Sequence, residues 1–311
     1  MLKILSVQNF HRWSWACILQ LLKKLYINTY CVWYVIKDQK ERIAQEEIKA
    51  DLILVQNVDS IHLITNKSKV VARIGGIGME AGKLLENCHK YDDVLSSVGA
   101  VVGTSAELAA LGQRNNPNTF IIANGTDLQL FTPMRAESSK SPKPFIIGFA
   151  GNISISHYMN YKGYPQIVGA QMTLALDTKL KLALYGPGQF SHDQMPKAFY
   201  AQIDCLVNAS EGEGCSNTIV EALACGIPVL LTKVGYHGEQ LIDECNCLFI
   251  ERTSEDIAAK IKMLMNDSLL WKRLSVNGRA FAEEHHDIKA IAKQYDEVFQ
   301  QVHATNTKQK D

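Results

Sequence analysis

Apolar runs of strand length alternate with helix-length stretches along nearly the whole chain, and this alternation restricts the fold more than any other feature. Leu2–Val7 reads as a strand, followed by a helix from about Trp13 to Leu25. Thr29–Ile36, Leu52–Gln56, Val70–Ile74, Ala100–Gly103 and Thr119–Ala123 are further strands, with helical stretches between several of them, notably Gly82–Val98 and Ala106–Arg114. Such alternation predicts βαβ units and a parallel sheet covered by helices.

The polar segment Met134–Lys143 reads as a linker, after which the pattern restarts. Strands are expected at Pro144–Gly151, Lys179–Tyr185, Cys205–Ala209, Pro228–Thr232 and Cys247–Glu251. Thr253 or Ser254 caps a helix over Glu255–Asn266, and helices over Leu269–Glu284 and Asp287–Val302 close the chain. The expected architecture is α/β, with two doubly wound, Rossmann-like parallel-sheet halves, residues 1–138 and residues 139–286, followed by a terminal helix over 287–311. Ligands of such sheets sit at the carboxyl ends of the strands.

Charge narrows the function. Lys+Arg and Asp+Glu are each 32, a formal net charge of zero, which excludes a strongly electropositive nucleic-acid binder. The eight cysteines are scattered without a Cys-x-x-Cys, so buried reduced thiols of a cytoplasmic protein are expected rather than a zinc ribbon or redox motif. Lys3, His11 and Arg12 interrupt the first apolar runs, unlike a signal peptide, and Lys23, Lys24 and Asn28 interrupt Ala16–Ile36, unlike a membrane span.

The most informative stretch is Asn208–Pro228. A strand gives way to the acidic, glycine-containing loop Glu211-Gly212-Glu213-Gly214-Cys215, and Ser216 is placed to cap a helix running to Cys225. The backbone amides of about Asn217–Ile219 then lie at a helix N-terminus beyond a strand's carboxyl end, a geometry suited to phosphate or to no ligand at all. Glu221 stands alone among Ile219, Val220, Ala222, Leu223 and Ala224. A carboxylate there is costly unless it faces a ligand's hydroxyls or is paired within the protein. Glu213, eight positions earlier, can reach the same pocket from the loop.

The spacing Glu213-x7-Glu221, with Ser210, Gly214, Asn217, Ala222, Ala224, Gly226, Pro228 and Val229 around it, resembles the retaining glycosyltransferases of the GT-B fold, the group-1 family (glycosyltransferase family 4). Gly148-Phe149-Ala150-Gly151 and Lys162-Gly163 look like that family's phosphate-binding turn and lysine. Asn124-Gly125-x-Asp127 with Phe131 and Pro133 looks like its interdomain signature, and Glu239 matches a further family glutamate. The resemblance covers Asn124 to about Val302.

The resemblance implies two domains facing a cleft and transfer of a hexose-type sugar from a nucleotide-diphosphate donor, of UDP or GDP type, to a carbohydrate or lipid-linked acceptor. Configuration would be retained, without a metal or another cofactor. Glu213 and Lys162 would be catalytic: Glu213 and the amides after it hold the sugar, and Lys162 neutralises the departing diphosphate. Glu221 would hold ribose hydroxyls. Gly151, Asn152, Gly214, Cys215, Ser216, Asn217 and Thr218 would complete the donor site. No Asp-x-Asp is present to bridge a cation to the diphosphate.

The chain departs from the family pattern in its first half and at one donor position. Asn152 stands where the family usually carries arginine, and Asn9-Phe10-His11-Arg12 replaces the glycine-rich loop after the first strand. Arg73, Gly75 and Gly76 occupy the region where the family's N-terminal histidine is expected. His11, Arg12, Arg73, Gly75 and Gly76 are therefore the acceptor-side candidates, with His62 weaker, and a structural arginine reads Arg73 equally well. Arg12, Trp13, Trp15, Lys23 and Lys24 at the first helix suit an anionic membrane surface, as in relatives with lipid-linked acceptors, or an amphipathic helix packed on the sheet.

Three other functions fit parts of the sequence. Gly76-Ile77-Gly78-Met79-Glu80-Ala81 matches a loose dinucleotide-binding pattern, but after a late strand and with Asp92 and Asp93 in a helical stretch. A glycoside hydrolase using Glu213 and Glu221 gives a phosphate-type helix terminus no purpose. A non-catalytic nucleotide-sugar or carbohydrate binding module remains the main alternative to a transferase.

Overall fold

The computed structural model describes residues 2–8, 30–36, 39–56, 58–75, 88–134, 144–151, 156–175, 178–184 and 190–308. Two compact units divide the chain: Met1–Asn124 with Ile288–Asp311, and Gly125–Asp287.

The first unit holds a parallel sheet of β1 (Leu2–Gln8), β2 (Tyr30–Ile36), β3 (Leu52–Val55), β4 (Val70–Ile74), β5 (Ala100–Gly103) and β6 (Thr119–Ile121), in the order β2-β1-β3-β4-β5-β6. Every residue of β3, β4 and β5 is buried, which is why these strands are unbroken apolar runs rather than alternating ones. Arg73 in β4 is the one charged exception among them. Helices α1 (Lys40–Glu47), α2 (Asp92–Ser97) and α3 (Ala106–Gln113) lie between strands, and Ser105 caps α3 by accepting from the Leu108 amide.

The second unit repeats the plan. Strands β7 (Phe145–Gly151), β8 (Thr178–Leu184), β9 (Cys205–Asn208), β10 (Val229–Leu231) and β11 (Leu248–Phe249) form a parallel sheet in the order β11-β10-β9-β7-β8. Helices α4 (Ser156–Tyr161), α5 (Tyr164–Leu174), α6 (Met195–Ala198), α7 (Asn217–Ala224), α8 (Gly235–Gln240), α9 (Ser254–Asn266) and α10 (Ser268–His285) connect the strands and cover the sheet. One apolar cluster gathers Phe131, Tyr200, Ile219 and Leu223, and a second gathers Ile147, Ile167, Ile257 and Trp271. Trp271 satisfies its ring N–H on the Asp204 carbonyl at 2.8 Å. Arg279 of α10 donates to the carbonyls of Phe131 (2.7 Å) and Ala224 (2.5 Å), closing the C-terminal end of α7 and fixing the 128–131 turn. The closing helix α11 (Ile288–Lys308) belongs to the first unit and buries Ile288, Ile291, Tyr295, Val298, Phe299 and Val302, a stripe at helical spacing.

Strand positions follow the expected runs closely. Helix α11 runs on to Lys308 instead of ending at Val302, and Asp267 caps α10 one residue earlier than expected, accepting from the amides of Leu269 and Leu270. The stretch expected as one helix over Gly82–Val98 shows a 3-10 turn at Cys88–Tyr91 before α2 within its described part. The first expected helix and residues 135–143 of the expected linker lie outside the described residues.

Candidate active site

Strand β7 leads the second unit; its successor β8 pairs on one side and β9 on the other. The chain thus reverses direction across the sheet between β7 and β9, and the crevice beyond the carboxyl ends of these strands is where an open parallel sheet binds ligands. The loop carrying Glu213 follows β9, and the turn carrying Lys162 lies in the connection that follows β7.

Two glycines in the left-handed region bring these segments together. Gly163 has φ +68°, and a Cβ there would lie 2.3 Å from the Ala209 carbonyl oxygen. Gly235 has φ +58°, and a Cβ there would lie 2.3 Å from the Glu213 carbonyl oxygen. An L side chain is strained at both positions and has no room at either. The loop after β9 is pressed between these two backbones, with Tyr236 N–H donating to the Gly214 carbonyl at 2.7 Å.

Lys162 Nζ meets Glu213 Oε1 at 2.5 Å. The same oxygen accepts from Ser210 Oγ at 2.8 Å and from Asn208 Nδ2 at 3.4 Å. Asn208 Oδ1 in turn accepts from the Ser210 amide, and the Ser210 carbonyl accepts from Thr232 Oγ1 at 2.6 Å. The Glu213 side chain is 13% exposed and that of Lys162 27%, so the pair is partly open to solvent and held from within by Ser210 and Asn208. Below it, Tyr161 O–H donates to the Gly212 carbonyl, and Arg252 pairs with Glu211 while donating to the Ala209 carbonyl.

Helix α7 begins directly after this loop. Its first turn, Asn217–Ile219, presents amides that have no intrahelical acceptor. Ser216 occupies the N-cap position but makes no side-chain cap bond. Its hydroxyl lies instead 3.2 Å from Asn208 Nδ2 and 3.1 Å from Thr218 Oγ1, so the expected cap is replaced by a link to the end of β9. Gly214, Cys215, Ser216 and Thr218 are buried, and Gly151 is buried at the end of β7.

Glu221 lies on the second turn of α7, 6% exposed, and both its oxygens are engaged. Oε1 lies 3.0 Å from His192 Nε2, and Oε2 accepts from Tyr200 O–H at 2.8 Å. The Phe131 ring packs 5.0 Å from the His192 ring and 6.0 Å from that of Tyr200. Burial acts to lower the His192 pKa, but the hydrogen bond and charge of Glu221, with Asp193 and Asp127, outweigh it and hold the imidazole above its ordinary value. Both carboxylate oxygens of Glu221 thus have a partner within the protein, and neither His192 nor Tyr200 is singled out by the sequence.

Of the acceptor-side candidates, Arg73 and Gly75 fall in the first unit. Arg73 is buried, donates to Asn124 Oδ1 at 2.7 Å and lies against Gly75. His62 is exposed and contacts the Asp59 carbonyl. His11, Arg12, Gly76 and the donor-side Asn152 lie outside the described residues. Glu239 is exposed on α8. Among the described residues, no three His, Cys, Asp or Glu side chains converge as metal ligands, and no helix is long and apolar enough to cross a membrane.

His237, on α8 behind Gly235, is 1% exposed, and its Nε2 has no hydrogen-bond partner. Burial, and then the neighbouring His286, push its pKa well below 6.5. The unfolded chain therefore takes up a proton at His237 that the folded chain refuses, and stability falls as pH drops below 6.5. The expected slope is about 1.4 kcal/mol per pH unit from this residue. His192 acts in another window: its contribution is complete below 6.5 and is lost as pH rises through its raised pKa. Thermal denaturation across the acid range checks this, with His237→Phe flattening the slope; an unchanged slope would place the titration elsewhere.

Residues 144–267 match a protein family described as glycosyl transferases group 1. A curated relative, an uncharacterized glycosyltransferase of Methanocaldococcus jannaschii, is 34% identical over 115 residues, which is 36% of this chain and 32% of the relative. The chain thus spans about a third of the length of the curated relative it matches. Among solved structures, Anabaena HepE in complex with UDP and glucose has a TM-score of 0.78 at 17% identity, covering 96% of this chain and 100% of HepE. Sucrose-phosphate synthase from Thermosynechococcus elongatus has a TM-score of 0.77 at 16% identity, covering 98% and 100%. A glycosyltransferase from Rickettsia africae has a TM-score of 0.71 at 14% identity, covering 97% and 98%. At these identities the likeness establishes the fold: two parallel-sheet α/β domains of the GT-B type.

Proposed function

We propose that this chain is a glycosyltransferase that moves a hexose-type sugar from a nucleoside-diphosphate donor to the hydroxyl of a carbohydrate or lipid-linked acceptor, with retention of configuration and without a metal. The observation that carries the reading is the Lys162–Glu213 pair, fixed at the β7/β9 switch point beside the free amides of α7. The group 1 match over residues 144–267 supports it, as does the UDP-bound state in which HepE, a relative in fold, was solved. A uridine diphosphate donor is the first choice on that ground.

The chemistry asks little of the protein beyond charge and placement. The bond between the sugar's anomeric carbon and the diphosphate oxygen breaks, and the electron pair leaves with the diphosphate. Lys162 faces this growing negative charge, and the amides of Asn217–Ile219 add the positive end of a helix. Glu213, held by Ser210 and Asn208, accepts from sugar hydroxyls. The acceptor oxygen bonds the anomeric carbon on the face the diphosphate leaves, and its proton passes to a diphosphate oxygen. Fixed positive groups of the protein take the place of a cation, so donor turnover is expected to persist in excess EDTA.

The test is UDP release from a panel of UDP- and GDP-sugars, with and without EDTA, and the anomeric configuration of the product by NMR. Turnover with retention in chelator is the expected result. Loss of activity restored by magnesium or manganese would overturn the metal-free reading and turn attention to Glu211 and Glu213 as ligands. Binding without turnover for every donor would favour a non-catalytic binding module.

A further inference from the structure

Glu221 is gripped from two directions by residues distant in sequence. His192 stands 29 positions before it, ahead of α6, and Tyr200 stands 21 before it, in the 3-10 turn Tyr200–Gln202. Each takes a different carboxylate oxygen, at 3.0 Å and 2.8 Å. A carboxylate offers about four acceptor directions. One on each oxygen is thereby occupied and one on each remains, the number that a pair of vicinal hydroxyls needs.

The exposures agree with a clamp rather than a sealed core pair. The Glu221 side chain is 8% exposed and that of His192 30%, so His192 forms the solvent side of the arrangement. Phe131 packs against both the His192 and Tyr200 rings. Tyr200 is fully buried, and the hydroxyl whose proton goes to Glu221 also lies 3.3 Å from the Thr218 carbonyl in the first turn of α7. The clamp therefore ties the Glu221 carboxylate to the helix turn that begins the anion site.

We propose that His192 and Tyr200 are positioning residues for nucleoside recognition: they fix the Glu221 carboxylate so that its remaining acceptor directions select a ribose cis-diol over a deoxyribose. This rests on the reading of Glu221 as the ribose ligand. A freely rotating carboxylate would lose entropy on binding the diol; one already held by two donors has lost it on folding.

The test compares the affinities of UDP and 2′-deoxy-UDP, and of GDP and 2′-deoxy-GDP, by calorimetry in the full chain and in His192→Ala, His192→Gln and Tyr200→Phe. The unmodified chain is expected to prefer the ribonucleotide by about tenfold, the equivalent of one hydrogen bond to a charged group. His192→Ala and Tyr200→Phe should each shrink this preference to about threefold or less. His192→Gln, which keeps an N–H donor, should restore most of it. Equal losses of ribo- and deoxyribonucleotide affinity would show a merely structural role and overturn the proposal, as would an undiminished preference in both variants. A chain that binds nucleotide without any ribose preference would overturn the Glu221 assignment, and the clamp with it, while leaving glycosyl transfer intact. A chain that binds neither UDP nor GDP would overturn both readings. Because His192 is partly exposed, His192→Ala is expected to fold and decides the matter alone if Tyr200→Phe does not.

Discussion

Lys162→Ala is expected to lower donor turnover by about 10²–10³-fold while weakening donor binding far less, by about tenfold or below. The asymmetry follows from where charge grows. On the proposed reading the α7 amides would meet the diphosphate already in the ground state, whereas the oxygen linking it to the sugar is uncharged there; only as that bond breaks would an extra negative charge develop for the ammonium to face. Lys162 is paired with Glu213 at 2.5 Å. Its removal leaves that carboxylate with Ser210 and Asn208 as donors, so the fold should survive with a stability loss of about 1–3 kcal/mol. Lys162→Arg keeps the charge but replaces a point ammonium with a planar fork, and should recover only part of the rate. Single-turnover kinetics beside calorimetric donor affinity separates the two effects. Equal losses in rate and affinity would reduce Lys162 to a binding residue, and no loss in either would remove it from the site.

The same pair shows how unevenly the site could be read from the chain. The strands were legible because a parallel sheet buries both faces, so Leu52–Val55, Val70–Ile74 and Ala100–Gly103 are continuous apolar runs bounded by polar turns. The helix carrying Glu221 was legible for a related reason: a lone carboxylate in an apolar helix marks an unpaid-for charge that something must meet. What meets it was not legible. His192 and Tyr200 lie in irregular backbone with no periodicity, and their approach to Glu221 depends on how the connection after β8 is laid over the sheet. Lys162 and Glu213 are 51 positions apart, and nothing in either local sequence fixes their contact. Gly163, just before α5, and Gly235, the first residue of α8, adopt the left-handed conformation that lets the backbones close on the loop, which a glycine in the sequence permits but does not announce. Ser216 was misread as a side-chain cap because a serine before a helix usually bonds its own helix; here the Asn208 amide at the end of β9 takes the hydroxyl.

Glu221→Gln is expected to weaken nucleotide binding by about 10–100-fold with little change in the thermal midpoint, and the structure explains why the two should separate. Glutamine keeps the volume of glutamate and one carbonyl oxygen, which can still accept from Tyr200 O–H. Its amide can face His192, whose ring nitrogen becomes an acceptor in the neutral tautomer, so neither neighbour is stranded. Losing the carboxylate also removes the strongest influence that raises the His192 pKa, so the imidazole should titrate lower in the variant, visible by NMR. The ligand fares worse. On the proposed reading a diol that would meet two anionic oxygens in the unmodified chain would meet one neutral carbonyl and an amide that donates where the hydroxyl would donate, losing a charged hydrogen bond worth about 1.5–3 kcal/mol. Glu221→Ala would test the same contact less cleanly, because it strands the Tyr200 hydroxyl and leaves a void beside it, adding a fold defect of about 2–4 kcal/mol. The glutamine variant therefore carries the argument: a folded protein with lowered His192 titration and unchanged UDP affinity would assign Glu221 to the protein's own interior, and ribose recognition would have to be sought elsewhere on the rim of the β7/β9 crevice.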